Sequence, residues 1–304
     1  MKQLFKVMVI LLPILLWFHV PPVLCEGPLP VSVSIIPQRY FVEKIGGPLV
    51  EVEPMVPPGA TPEQYEPKPR QMAALSRAKL YFACGVPFET IWLPKIAAAN
   101  PNMRVVHTEK DIEKREMEAH SHGGDSKSHA GGHSHDELET RDPHVWLSPP
   151  LVMMQARTIF EALAAADSRN RESYEKGYRN FMAELMELDT FLLRLFQNRA
   201  EARSFMVFHP AWGYFADAYG LKQIPVEVEG KEPRPRDLDE FIKLAHSLGI
   251  KTIFVQPQYS PKSAQTIADA IGGTLVHADD LAPDWAENIR KVAVQIATSM
   301  GQGQ

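Results

Sequence analysis

Cysteine is scarce in this chain: Cys25 and Cys84 are the only two in 304 residues. So few thiols give no disulfide framework, and the fold must be held by its own apolar core. A basic surplus is missing as well. The 32 Lys and Arg stand against 37 Asp and Glu, for a net charge of −5. That leaves no excess of cations to neutralise phosphates and argues against a nucleic-acid partner. Neither G-x-G-x-x-G, a P-loop nor G-x-S-x-G occurs, so nucleotide-binding and acyl-transfer enzymes have no foothold. H-E-x-x-H is absent too, and a zinc hydrolase would need an open coordination position beside a general base. The chain is therefore not expected to be an enzyme. Long apolar runs are confined to Val7–Val20, which Pro13 and His19 interrupt. That run falls short of the roughly 20 residues a membrane-spanning helix needs.

The same run marks residues 1–25 as a secretory signal. Lys2 and Lys6 supply the positive start, Pro21-Pro22 follows the apolar stretch, and cleavage is expected near Cys25. The expected location is the periplasm, as a freely exported protein. Pro22, Val23 and Leu24 fit a lipidation box poorly, and anchoring through Cys25 is the alternative. Cys84, within Tyr81-Phe82-Ala83-Cys84-Gly85, is expected to pack as a small buried hydrophobe at a strand end.

What the chain does have is alternation. Short β-branched runs at Val31–Ile36, Leu49–Val56, Lys79–Ala83 and Met103–His107 are followed later by Ser204–Phe208, Leu221–Val228, Ile250–Val255 and Gly273–His277. Helical patterns lie between most of them, as at Arg70–Arg77, Phe88–Ala99, Leu238–Leu248 and Lys262–Ile271. Strand–helix alternation implies parallel sheets covered on both faces. The expected fold class is α/β, with two lobes that each carry a four-stranded parallel sheet. The expected boundaries are a signal over 1–25, an N-terminal lobe over 26–166, a linking helix over 167–200 and a C-terminal lobe over 201–304. Tyr174, Tyr178, Phe181, Leu185, Leu188, Leu192 and Leu195 recur at spacings of four and three, giving the linking helix one apolar stripe. A rigid helical tie makes a wide hinge motion less favourable than a loop would.

Histidine is the most informative residue. His120, His122, His129, His133 and His135 sit among Gly, Ser, Asp and Glu, within a His-rich loop over 107–141 that has too little apolar content to form a core. Such a tract reads as an auxiliary, low-affinity metal collector. His144 differs, because Pro143 restricts the backbone before it and Val145, Trp146 and Leu147 anchor it after.

Ligands of α/β proteins gather outside the carboxyl ends of the strands. Four metal-competent residues follow strands in this way: Glu63, His144, His209 and Asp279. Each has a plainer reading. Either histidine could be a hydrogen-bonded structural residue, and Glu63 could be a solvated loop carboxylate. Asp279, or Asp280 in its place, could cap the helix that starts near Pro283. His277 is expected to pack or to back up a ligand.

The chain resembles the metal-binding receptors of zinc/manganese ABC importers from about residue 30 to the C-terminus. The resemblance rests on Tyr65-Glu66-Pro67-Lys68-Pro69, Asp142-Pro143-His144-Val145-Trp146-Leu147-Ser148-Pro149, His209-Pro210-Ala211-Trp212-Gly213-Tyr214-Phe215 with Tyr219-Gly220-Leu221, Ile253-Phe254-Val255-Gln256-Pro257-Gln258, and Asp279-Asp280-Leu281-Ala282. It implies two lobes joined by a long helix, one ion in the cleft, and His144, His209 and Asp279 as ligands. The family usually has a histidine where this chain has Glu63. A carboxylate can bind zinc in that place, although two oxygens with two nitrogens also suit manganese. The His-rich loop and His209 favour zinc, since the family's manganese receptors typically carry a glutamate at the latter position. The resemblance thus implies a monomeric extracytoplasmic protein that captures Zn2+, or alternatively Mn2+, and delivers it to an ABC permease. A periplasmic zinc buffer or chaperone and a surface adhesin are the other readings.

Overall fold

A computed structural model of the protein describes residues 27–118, 141–197, 204–228, 231–260 and 262–301. Two four-stranded parallel sheets organise it. The first contains β1 (Leu29–Val33), β2 (Val50–Pro54), β3 (Leu80–Ala83) and β4 (Arg104–His107) in the order β2-β1-β3-β4. The second contains β5 (Ser204–Val207), β6 (Lys222–Pro225), β7 (Thr252–Val255) and β8 (Thr274–His277) in the order β6-β5-β7-β8. Both share one topology, with the chain leaving the first strand toward one edge and returning to build the other. The register pairs Val31 with Leu80 and Met206 with Ile253. Central strands such as β3 and β7 are buried at every position, as parallel strands covered on both faces must be.

Strand β1 stops earlier than its β-branched run suggests. The extended stretch expected through Ile36 ends at Val33, and Ile36 instead opens α1 (Ile36–Gly46). Pro37 sits in the first turn, where its missing N–H costs nothing. Gln38 turns its side chain back to accept from the backbone N–H of Ser34 at 3.0 Å and of Ile35 at 3.4 Å. A helix with its own cap therefore overrides local β propensity.

Helices α2 (Pro69–Ala74) and α3 (Pro87–Ala99) complete the first lobe's connections, followed by α4 (Pro149–Ala166) and the long α5 (Arg171–Phe196). On α5, Tyr174, Phe181, Leu185, Leu188, Leu192 and Phe196 are buried, while Tyr178 and Leu195 lie at the stripe's edges. That stripe packs on α1 and α4. It also meets α9 (Trp285–Gly301) of the second lobe, whose other helices are α6 (Gly213–Ala218), α7 (Pro235–Ser247) and α8 (Lys262–Ala270). At Gly177 a side chain would collide with the carbonyl of Ile45, so glycine is what lets α5 lie directly on α1.

One apolar core runs from β1 and β3 through α4, α5 and α9 to Phe205, Val207 and Phe254 of the second sheet. A separate core fills the outer side of that sheet. Since the larger core crosses the lobe boundary, separating the lobes widely would expose apolar surface at about 25 cal/mol per Å2. Cys84 is fully buried just past β3 and forms no disulfide. Burial pushes its thiol pKa well up, so it stays an uncharged packing residue.

Candidate metal centre

The carboxyl ends of both sheets face the cleft between the lobes, and loops from each deliver donors to it. The loop after β2 is pinned on both sides of Glu63. The carbonyl of Pro62 accepts from Phe88 N–H at 3.1 Å, and the Tyr65 ring meets Phe88 edge-on at 5.8 Å. Tyr65 also donates to Gln71, which in turn donates to the carbonyl of Met55 at 2.7 Å. Glu63 is only 24% exposed, and its Oε2 is buried without a hydrogen bond. Gln64 next to it is exposed.

His144 follows β4 by way of Pro143 and is completely buried, above the short helical turn Val145–Leu147. Asp142 Oδ1 takes both its backbone N–H at 2.9 Å and its ring Nδ1 at 2.8 Å. His209 follows β5. Its ring Nδ1 meets Glu227 Oε2 at 2.5 Å, and its backbone exchanges hydrogen bonds with the side-chain amide of Gln256. The ring of Tyr259 stacks on it at 4.8 Å. Burial chiefly, with Glu63, Asp280 and Glu227 adding to it, drives the Tyr259 hydroxyl pKa far above its ordinary value, so that group stays neutral beside the imidazole.

With a carboxylate on each Nδ1, a neutral ring that donates its Nδ1 proton there leaves Nε2 free as an acceptor. The two Nε2 atoms stand 3.3 Å apart. Glu63 Oε1 lies 3.8 Å from that of His144 and 3.7 Å from that of His209. Three acceptors this close repel one another unless a cation sits among them. Donors around a tetrahedral zinc at ~2.0–2.2 Å stand about 3.3–3.6 Å from one another. The three therefore need only a small inward shift to hold an ion. They are the one group of three such donors within mutual reach among the described residues.

Asp279 does not join that group. Its Oδ1 accepts from Gln258 Nε2 at 3.0 Å and from Leu281 N–H at 2.9 Å, and it lines a cavity of about 530 Å3 at the cleft with Tyr40, Pro57 and Pro58. Its neighbour Asp280 does not join the group either, but is placed differently. Asp280 is buried, its Oδ1 has no hydrogen bond, and its pKa is raised to about 7. Burial is the main cause; the charges of Glu63 and Asp279 add to it and His209 opposes it. Nothing in the run Asp279-Asp280 distinguishes the two by composition, so only the fold reveals which one is buried. His277 is exposed rather than packed, because β8 is an edge strand with one half-open face. The five loop histidines, His120, His122, His129, His133 and His135, lie outside the described residues, as do residues 1–25.

The geometry can be set beside known proteins. The family model described as ZnuA, zinc-uptake complex component A, periplasmic, matches residues 31–299. The chain belongs to this family. Among its relatives is the high-affinity zinc uptake system protein ZnuA of Bacillus subtilis (strain 168), 31% identical over 251 residues, covering 80% of this chain and 75% of that one. The manganese ABC transporter substrate-binding lipoprotein PsaA of Streptococcus anginosus is 27% identical, over 75% of this chain and 72% of its own length. A crystal structure of ZnuA matches with a TM-score of 0.81 and 42% identity, covering 90% of this chain and 100% of that one. A ZnuA deletion mutant with zinc bound matches with a TM-score of 0.80 at the same identity, covering 90% and 98%.

Proposed function

We propose that this protein is the extracytoplasmic receptor of an ABC importer, taking up one zinc ion between its lobes and presenting it to a membrane permease. The observation that carries this reading is the pair of imidazole Nε2 atoms, one from each lobe, held 3.3 Å apart with Glu63 beside them. Glu63, His144 and His209 supply three donors. The fourth comes from the aspartate pair after β8; the sequence pattern favours Asp279, whereas the unpartnered buried oxygen favours Asp280. Four protein donors close the coordination sphere, which suits carriage rather than hydrolysis. Membership of the zinc-uptake family and the zinc-bound neighbour support zinc as cargo. Oxygen donors at Glu63 and the aspartate pair favour manganese as the second reading. The protein works as an exported monomer, with its His-rich loop as an auxiliary collector.

Metal analysis of protein purified without added metal, followed by calorimetric titration, tests the proposal. One tight zinc per chain is expected. His144→Ala and His209→Ala should each weaken it by at least tenfold, the scale on which loss of groups around a metal is felt, while the fold persists. A variant that keeps stoichiometric zinc at parental affinity would remove that histidine from the site.

A further inference from the structure

Arg115, from the N-terminal lobe, reaches between the lobes to the back of a candidate ligand. It lies after β4, at the point where Asp142 N–H donates to its carbonyl at 2.9 Å. Its side chain is 18% exposed. The guanidinium reaches Glu118 at 2.6 Å on its own lobe and Asp217 of α6, on the opposite lobe, at 3.3 Å. Its remaining nitrogen, Nη1, is buried without a hydrogen bond and faces Asp142 Oδ2, equally buried and unpartnered, at 3.9 Å. The other oxygen of that carboxylate is the one that orients His144.

Two further observations show that the second lobe is built around this guanidinium. Gly213, the first residue of α6, has no room for a side chain: a Cβ there would run into Arg115 Nη1 and come within 2.9 Å of Asp142 Oδ2. Tyr214, next along, accepts from the backbone N–H of Arg115 at 3.0 Å and donates to the carbonyl of Asp142 at 2.8 Å. Its ring also lies under the guanidinium, at 5.8 Å from the centroid. Glycine, tyrosine and aspartate at successive faces of α6 thus form a seat for one arginine.

We propose that Arg115 is a positioning residue, which clamps Asp142 against the second lobe and so sets the angle and reach of His144 toward His209. This rests on the reading of His144 and His209 as metal donors. The physical logic is that a buried carboxylate oxygen with a guanidinium 3.9 Å away and no hydrogen bond of its own is drawn toward that charge, and an imidazole bonded to a carboxylate biased in this way keeps its tautomer and direction. The Asp217 contact is partly exposed and weak by itself, since surface ion pairs are screened. Its effect is to stop the guanidinium from swinging away.

The test uses the full chain with Arg115→Gln, Arg115→Lys, Asp217→Asn and the double variant Arg115→Gln/Asp217→Asn. In metal-free protein, the nitrogen-15 shifts of the His144 ring report its tautomer and its bond to Asp142. In loaded protein, the release rate of zinc into a chelator reports the site. Arg115→Gln should move the His144 resonances and speed release by about three- to tenfold, below the roughly 10–100-fold typical of direct partners of a ligand. Arg115→Lys should fall between, because it keeps the charge and loses the planar fork. Asp217→Asn should shift both readouts in the same direction by less, and the double variant should release no faster than Arg115→Gln, since both act through one contact network. Parental resonances and release in Arg115→Gln, with zinc binding lost in His144→Ala, would overturn the role of Arg115 and leave the metal site standing. A parental chain that takes no zinc would instead refute the site, and the imidazole shifts would still decide the Arg115 contact. Should Arg115→Gln fail to fold, Asp217→Asn decides alone: unchanged shifts and release would overturn the proposal.

Discussion

The indole nitrogen of Trp146, in the first lobe, donates to the backbone carbonyl of Asp280, in the second, at 2.7 Å. The bond is reciprocated nearby, where the indole of Trp285 donates to the carbonyl of Trp146 at 2.7 Å. All three residues are buried. The stretch that follows His144 is therefore bonded to the aspartate beside the site, and the two lobes meet through fixed polar contacts as well as apolar packing. Metal entry through local movement of the loops fits this arrangement better than wide opening of the lobes.

Replacing Trp146 by Phe tests that link. The substitution keeps most of the apolar bulk but leaves the Asp280 carbonyl without its donor, at a cost of about 1–3 kcal/mol. Thermal unfolding with and without zinc should show a lower midpoint in both states. The stabilisation gained from zinc should also shrink, because Asp280 is released. An unchanged zinc increment would mean that the bond supports the fold but not the site.

The raised pKa of Asp280 predicts opposite pH trends for stability and affinity. Its folded value is about 7, against 3.8 for the unburied carboxyl, because burial disfavours the charge. Between those values the metal-free folded chain holds a proton that the unfolded chain has lost. Its contribution to stability is thus fully present below the lower value and is lost as pH rises through about 7. Zinc binding runs the other way, since a cation favours the ionised carboxylate, so affinity should fall as pH drops below about 7. Asp280→Asn should flatten the stability trend of the metal-free protein across pH 5–7 and remove part of the affinity trend. Melting curves and zinc titrations at several pH values check both. A parental pH dependence in the variant would exclude Asp280 as the source.

Glu63 is expected to set the balance between metals. Glu63→His replaces a hard oxygen by an imidazole and should widen the ratio of zinc to manganese affinity, whereas Glu63→Ala should weaken both ions. Competition titrations, made in a chain lacking the His-rich segment, keep the loop histidines from masking the result. If Glu63→Ala bound zinc as well as the parent there, the site would have lost nothing and Glu63 would not be a ligand.

Removing the His-rich segment itself should separate strong from weak binding. Glu116 and Arg141 pair as an antiparallel bridge, so its two ends already lie side by side and a short linker can join them. Deleting residues 118–136 should leave one tight zinc and abolish the weaker binding, since donors from preformed lobes lose little entropy on binding and a glycine-rich chain must be ordered to wrap an ion. Calorimetry that showed the tight site vanishing with the segment would contradict this division.

The sequence by itself determined the architecture and put forward the donors for the proposed site. Strand–helix alternation and the stripe on α5 are local patterns, and burying them leaves little choice but two covered parallel sheets joined by a long helix. The placement of Glu63, His144 and His209 after strands was equally local, because strand ends can be read from where an apolar run meets Pro or a polar loop. Tertiary structure decided the rest. The start of α1 depends on Gln38 reaching back to a backbone that a propensity argument assigns to a strand. Asp279 and Asp280 are alike in composition, and which one is buried depends on Gln258, Leu281 and Trp146 holding the turn from three directions. The spacing of His144 from His209, and the seat that Gly213 makes for Arg115, join residues far apart in the chain. Such distances are set by how two lobes pack, where a shift of an ångström changes a ligand into a bystander without altering a single residue.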